Sequence, residues 1–300
     1  MYEDFLSLAD LSTVELEELL DLADDLKRKQ KAGEDHRTLA GKTLGMLFEK
    51  PSLRTRVTFE TGMFQLGGHA VFMQTKLGER ETVPDIARNL ERWVDGIVAR
   101  THSHEAVLEL AKFAKVPVIN ALTDKLHPCQ VLGDAQTIRE HRGGLTGLKV
   151  VFVGDGNNVF ASWANLATRF KFDLTLVCPS GYELTGEVHD VASKEALGTY
   201  SVTNSIEEGV PGADVVYTDV WASMGQETES AERNASFAPY QVDARLMALA
   251  GDQALFMHCL PAHREEEVTD GVIESAQSIV FDQAENRLHA QKAVMLKLMQ

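Results

Sequence analysis

Apolar positions along this chain change period repeatedly. Leu16, Leu19, Leu20 and Leu26 recur at helical spacing behind Ser12, and lysines gather toward residue 31. That pattern predicts a helix over 12–31 with Ser12 as its cap and its cations at the end the helix dipole favours. A short apolar run at 43–48 predicts a strand, and Phe59, Met63 and Leu66 predict a helix over about 54–66. Further short runs follow at 70–73, 96–99 and 116–119. After Gly143-Gly144 a second series starts. Its strand candidates are 149–153, 174–178, 215–218, 254–258 and 278–281, with helices at 158–170 and about 285–299. Strands alternating with helices predict parallel sheets covered by helices.

The reading is α/β: two doubly wound lobes, each a parallel sheet flanked by helices. Ligands of such sheets bind outside the carboxyl ends of the strands. A length of 300 residues fits two domains. The first is placed at 1–138, with the final helix 286–300 packing back on it, and the second at 139–285.

Composition narrows the function. Hydrophobic residues make up 44% and charged residues 25%, as in globular proteins. No apolar run is long enough for a bilayer, so a membrane partner is not expected. The start Met1-Tyr2-Glu3-Asp4 is too acidic for a signal peptide. Cys129, Cys178 and Cys259 are too few and too scattered for a disulfide framework, so a reducing, cytoplasmic location is expected. The net charge of -16 argues against a nucleic-acid partner. An acidic but ordinary protein is preferred over adaptation to a salty cytoplasm.

Polar clusters stand at the predicted strand ends. Ser52-Leu53-Arg54-Thr55-Arg56 opens a helix, where free N–H groups, hydroxyls and a guanidinium fork suit a phosphate. A capped helix start with solvated arginines is the plainer alternative. His127-Pro128-Cys129-Gln130 sets a His and a Gln where both can donate to one carbonyl oxygen; a polar turn is the alternative. No second pair at ligand spacing accompanies His127 and Cys129, so no metal is expected there. His102 and His104 read as loop or surface residues. Gly154-Asp155-Gly156-Asn157-Asn158 lacks the third glycine of a dinucleotide loop, and the next strand has no acid for a ribose. It reads as a substrate loop, and no cofactor is expected. Asp219, in Asp-Val-Trp-Ala-Ser-Met-Gly, can bind an ammonium group; an ordinary loop around Trp221 is the alternative. His258-Cys259-Leu260-Pro261 stands at another strand end, where a buried inert Cys is the common case. Arg287, in Asp282-Gln283-Ala284-Glu285-Asn286-Arg287, is either a surface residue or a second anion clamp.

Together and in this order, these segments resemble the aspartate/ornithine transcarbamylase family, and within it the ornithine carbamoyltransferases. The likeness runs over nearly the whole chain. It implies two α/β domains, binding carbamoyl phosphate (1–138) and ornithine (139–285), with the active site in the cleft between them. It implies transfer of a carbamoyl group from carbamoyl phosphate to the δ-amine of L-ornithine in arginine metabolism. Ser52, Leu53, Arg54 and Thr55 would hold the phosphate, with Arg287 completing the site. Arg100, His127 and Gln130, with Pro128 and Cys129 alongside, would polarise the carbamoyl oxygen. Asn158, Asp219, Ser223 and Met224 would hold ornithine. Cys259 and Leu260 would sit by the reacting amine and carbonyl, and Asp219 with Cys259 would orient the amine. The family works as a homotrimer or a multiple of trimers, with sites at subunit interfaces. Two positions depart from the pattern: Leu53 replaces a common Thr, and Lys76, near Gln74, stands where ornithine enzymes often send a Gln into the neighbour's site. Sister enzymes acting on putrescine or acylated ornithines are the nearest alternatives. A nicotinamide-dependent oxidoreductase or a non-catalytic regulator is more distant.

Overall fold

The computed structural model describes residues 3–222 and 230–300. Its first compact unit comprises 1–141 and 285–300, and its second 142–284.

In the first unit the helix α1 (Thr13–Ala32) starts on Ser12, whose hydroxyl accepts from Glu15 N while the Glu15 carboxylate accepts from Ser12 N. It stops at Gly33, whose φ of 68° is a left-handed conformation that glycine adopts without penalty. Four parallel strands follow: β1 (Thr43–Phe48), β2 (His69–Gln74), β3 (Gly96–Arg100) and β4 (Val118–Leu122). Their order across the sheet is β2-β1-β3-β4. The helices between and after them are α2 (Leu53–Gln65), α3 (Val83–Leu90), α4 (His104–Phe113) and α5 (Pro128–Arg142). The central strands β1 and β3 are apolar and almost wholly buried, as strands covered on both faces must be. The fourth strand begins two residues later than the apolar run at 116–119.

Among its described residues the second unit carries five parallel strands: β5 (Lys149–Val153), β6 (Asp173–Val177), β7 (Tyr200–Thr203), β8 (Val215–Thr218) and β9 (Leu255–His258). Their order is β7-β6-β5-β8-β9. The helices α6 (Asn158–Ala167), α7 (Glu187–Glu195), α8 (Ile206–Gly209), α9 (Ser230–Phe237), α10 (Ala244–Ala250) and α11 (Asp270–Ile273) intervene, and α12 (Val280–Met299) closes the chain.

Two expectations are corrected. The candidate strand 278–281 is the entrance to α12; only Ser278 forms a bridge, to Phe256. Phe281 is exposed, so this short apolar run lacks the two-sided burial of a core strand. His104, expected at the surface, is buried in the first turn of α4, with Nδ1 3.0 Å from Thr123 Oγ1; His102 is exposed. The edge strand β7 has no apolar run because it is only half-buried.

Within the first unit the part of α12 from residue 285 onward packs tightly on α2. A Cβ at Gly62 would lie 2.8 Å from Met295 Cε and 3.1 Å from Lys292 Cγ. Lys27 Nζ donates to Asn286 Oδ1 (2.7 Å) and Glu140 Oε2 (2.9 Å), tying α12 to α1 and α5. One turn on, His289 is almost wholly buried, and burial with the nearby Lys292 and Lys27 pushes it down to about 3. The unfolded chain takes up the proton first, so stability conferred above about pH 6.5 drains away as pH falls toward 3. Acidification to about pH 5 therefore costs on the order of 2 kcal/mol through this residue. Replacing His289 by Gln should shrink the loss in urea-unfolding midpoint over that range; an unchanged loss refutes it.

Candidate active site

The strand orders create a switch point in each sheet. Successive connections run in opposite directions on either side of β1 and β3, and again of β5 and β8. At such points the loops beyond the carboxyl ends diverge and leave a crevice. Most of the polar segments singled out in the sequence open there or on neighbouring strands.

In the first unit Phe48 pairs with Arg100 in register at the ends of β1 and β3. Just beyond, Ser52 caps α2, its Oγ accepting from Thr55 N at 3.3 Å. Thr55 is fully buried, and two guanidinium groups converge on its hydroxyl: Arg287 Nη2 donates to Oγ1 at 2.8 Å and Arg100 Nη1 at 3.4 Å. Arg287 thus resolves as a clamp rather than a surface residue. Gly133 on α5 allows this approach, since a Cβ there would come 3.3 Å from the Arg287 Cα. Arg54 is half-buried, and Leu53 is exposed. Lys76 and Gln74 are both exposed. Glu49 is the strut of this region. Its carboxylate accepts from the main-chain N–H of Leu77 at 2.7 Å and of His102 at 2.8 Å, holding the loops after β2 and β3.

His127 and Gln130 stand at the start of α5, both buried, with Pro128 in its first turn. Burial, followed by the charges of Arg287 and Arg100, holds His127 well below the ordinary imidazole value. A neutral ring at working pH follows, able to donate from one nitrogen. Gln130 Nε2 donates to Asp134 Oδ1 at 2.8 Å. This orients the amide and leaves its second N–H for another acceptor. The Cys129 thiol is directed elsewhere: it donates to Asn120 O at 3.3 Å, and burial pushes it up to about 12. Asp134 escaped the sequence reading, although a Gln and an Asp four apart face each other on a helix.

In the second unit Val153 pairs with Thr218 at the ends of β5 and β8. Beyond β5, Asn157 caps α6 by accepting from Val159 N and Phe160 N, and its Nδ2 donates to Asp219 Oδ2 at 2.8 Å. Asn158 follows as the first helical residue, half-buried. Gly156 is obligatory by space, because a Cβ would lie 2.3 Å from Leu184 N. Asp155 pairs with Arg233; burial raises the Asp155 carboxyl, and the arginine opposes that shift. The Asp219 carboxylate is buried, and its Oδ1 accepts from Val220 N at 2.8 Å and from the Cys259 thiol at 2.9 Å. Cys259 is half-buried and hydrogen-bonded, not the inert core cysteine its composition favoured. Ser223 and Met224 lie outside the described residues.

Leu260 has a φ of 57°, unusual for a branched side chain and costing about 1–3 kcal/mol. A buried relay holds it. Leu260 N donates to His258 Nδ1 at 2.8 Å, which leaves the ring proton on Nε2, and Nε2 donates to Glu267 Oε1 at 2.9 Å. His258 N donates in turn to Gln283 Oε1 at 2.9 Å, and Gln283 Nε2 lies 3.1 Å from the Tyr217 hydroxyl.

Residues 3–140 match the model of the aspartate/ornithine carbamoyltransferase carbamoyl-P binding domain, and residues 146–298 match that of the Asp/Orn binding domain. The chain belongs to the aspartate/ornithine carbamoyltransferase family. It is 53% identical to an ornithine carbamoyltransferase of Syntrophotalea carbinolica over 303 residues, covering 100% of both chains. It is 50% identical to that of Thermococcus kodakarensis, covering 99% of this chain and 96% of that one. Among solved carbamoyltransferases, the Pyrococcus furiosus ornithine enzyme superposes with a TM-score of 0.96 at 50% identity, covering 99% of this chain and 97% of that one. The Thermus thermophilus enzyme superposes at 0.91 with 44% identity and complete coverage of both. Among the described residues, no helix of this family member is long and apolar enough to cross a membrane.

Proposed function

We propose that the protein transfers the carbamoyl group of carbamoyl phosphate to the δ-amine of L-ornithine, releasing L-citrulline and phosphate. The observation that carries this reading is the Asp219 carboxylate at its switch point, approached by Asn157 Nδ2 and the Cys259 thiol. It is a buried anion beside a half-buried polar loop, suited to an amine, in a chain about half identical to ornithine carbamoyltransferases.

The roles divide between the two units. Residues 1–141 with 285–300 take carbamoyl phosphate. Ser52, Leu53 N–H, Arg54 and Thr55 bind its phosphate at the start of α2, where dipole and free N–H groups favour an anion. Arg100 and Arg287 add charge from the buried side. His127, Gln130 and Arg100 donate to the carbamoyl oxygen, and Pro128 and Cys129 shape that turn through the main chain. Residues 142–284 take ornithine through Asn158, Asp219, Ser223 and Met224. Asp219 and Cys259 orient the δ-amine, and Leu260 lies beside the reacting centre. The neutral amine attacks the carbonyl carbon, negative charge grows on the carbonyl oxygen, and phosphate leaves as the C–O bond breaks, taking up the proton that the attacking nitrogen loses. Phosphate is a good leaving group, so positioning and charge stabilisation supply most of the acceleration.

We place the enzyme in the cytoplasm, in arginine biosynthesis, as a homotrimer. Leu53, Val57 and Phe64 make an exposed apolar stripe on α2, and Val71 is exposed on β2; such a stripe suits a second copy. Lys76, in solvent in a single chain, is assigned to a neighbour's phosphate site. The deciding experiment is citrulline formation from carbamoyl phosphate with ornithine, putrescine and acetylornithine in parallel. Ornithine is expected to dominate kcat/KM. Preference for putrescine or acetylornithine would transfer the protein to a sister activity, and no carbamoylation of any of them would overturn the reading.

A further inference from the structure

Glu267 does more than hold His258. Its side chain is completely buried in the second unit. Oε1 is fully engaged, accepting from His258 Nε2 at 2.9 Å and from the main-chain N–H of His263 at 2.6 Å. Oε2 is also buried, yet it has no hydrogen-bond partner among the described residues. A bare carboxylate oxygen away from water is costly and calls for a cation or a donor. The nearby charges are otherwise occupied. Arg264 bonds Asp270 at 2.9 Å and Glu274 at 2.7 Å, and Glu265 Oε1 accepts from Asp270 N at 2.8 Å.

Two other donors share the spot. Ligand atoms of His263, Glu266 and Glu267 all lie within 4.8 Å of one another, and His263 Nδ1 is 3.6 Å from Glu266 Oε2. The outer pair is about half exposed, with side-chain exposures of 52% and 47%.

We propose that His263, Glu266 and Glu267 form a binding site for a divalent transition metal of the Zn2+ class. An imidazole nitrogen with two carboxylates selects such an ion over Mg2+ or Ca2+, which prefer all-oxygen shells. Three protein ligands leave one tetrahedral position for water. A cation held there would offset the charge of the buried Glu267 carboxylate, whose Oε2 has no hydrogen-bond partner among the described residues. Because Glu267 Oε1 orients the imidazole that receives the Leu260 N–H, a bound ion also stiffens the Cys259-Leu260 turn. The grouping of Asp219, His258 and Cys259, whose ligand atoms also lie within 4.8 Å of one another, is a separate place and belongs to the amine site.

The test measures Zn2+ affinity of the chelator-stripped full chain by competition with a chromophoric chelator, with excess Mg2+ present. The wild type and Cys259→Ser should bind a Zn2+ ion alike. His263→Ala and Glu266→Gln, both at half-exposed positions, should bind at least about tenfold more weakly, since even loss of a ligand's supporting partner costs that much. Co2+ in the wild type should show d–d absorption without a thiolate charge-transfer band. Absence of saturable Zn2+ binding, equal affinity in His263→Ala and wild type, or loss confined to Cys259→Ser would each overturn the proposal, as would a thiolate band.

Discussion

Replacing Arg100 by alanine lowers kcat/KM for carbamoyl phosphate by about 10²–10³-fold, the usual effect of losing one donor to a developing oxyanion. Arg100 is buried at the end of β3, and Nη1 reaches Thr55 Oγ1 at 3.4 Å. Its guanidinium therefore stands with Arg287 at the start of α2, where the phosphate and carbamoyl oxygens are proposed to lie. The loss should fall on kcat as well as KM, because an oxyanion contact strengthens only in the transition state. Arg100→Lys should recover only part of it, since an ammonium cannot reproduce the planar fork. Steady-state kinetics with carbamoyl phosphate varied, alongside a thermal melt to confirm folding, is the measurement. Near-normal kinetics in Arg100→Ala would remove this residue from the site.

Asp219→Asn has the second large expected effect, a drop of about 10²-fold in kcat/KM for ornithine, the scale of loss when a positioning contact is misplaced. The substitution preserves shape but not acceptor capacity. In the wild type both carboxylate oxygens accept: Oδ2 from Asn157, and Oδ1 from Val220 N and Cys259. An amide must turn its NH2 toward one of those donors, so a buried hydrogen bond is lost, at a cost of about 1–3 kcal/mol in stability. The negative charge for the amine is lost as well. The KM for carbamoyl phosphate should change less, because most of its proposed ligands lie in the other unit. Unchanged ornithine kinetics, or an equal loss toward both substrates, would contradict the assignment.

The polar segments were legible because each follows an apolar run, and a strand end is where a parallel sheet presents its ligands. Ser52, His127, Asn158, Asp219 and Cys259 stand out on that ground. Their partners did not. Asn157 was given no role of its own, yet its amide holds Asp219. Glu49 was not singled out, yet it fastens two separate loops. Glu267 lay among exposed acids in the sequence and is the buried one. Nothing in local spacing distinguishes a carboxylate that turns inward from its solvated neighbours.

The sequence by itself determined the alternation of strands and helices, the helix cap at Ser12, the helix start at Ser52–Arg56, and which residue types stand at each strand end. These are local properties, set by periodicity of burial and by hydrogen-bonding reach over a few residues. It misassigned the run at 278–281 as a strand, because a short apolar stretch satisfies a strand or a helix start equally until its neighbours are known. Only the tertiary structure decided that β1 lies beside β3 and β5 beside β8, and so where each crevice opens. It alone brought Arg287 to Thr55, 232 residues earlier in the chain, and the Cys259 thiol to Asp219. Strand order follows from how the crossover helices pack and bury their apolar faces together, a property of the whole sheet that no single segment encodes.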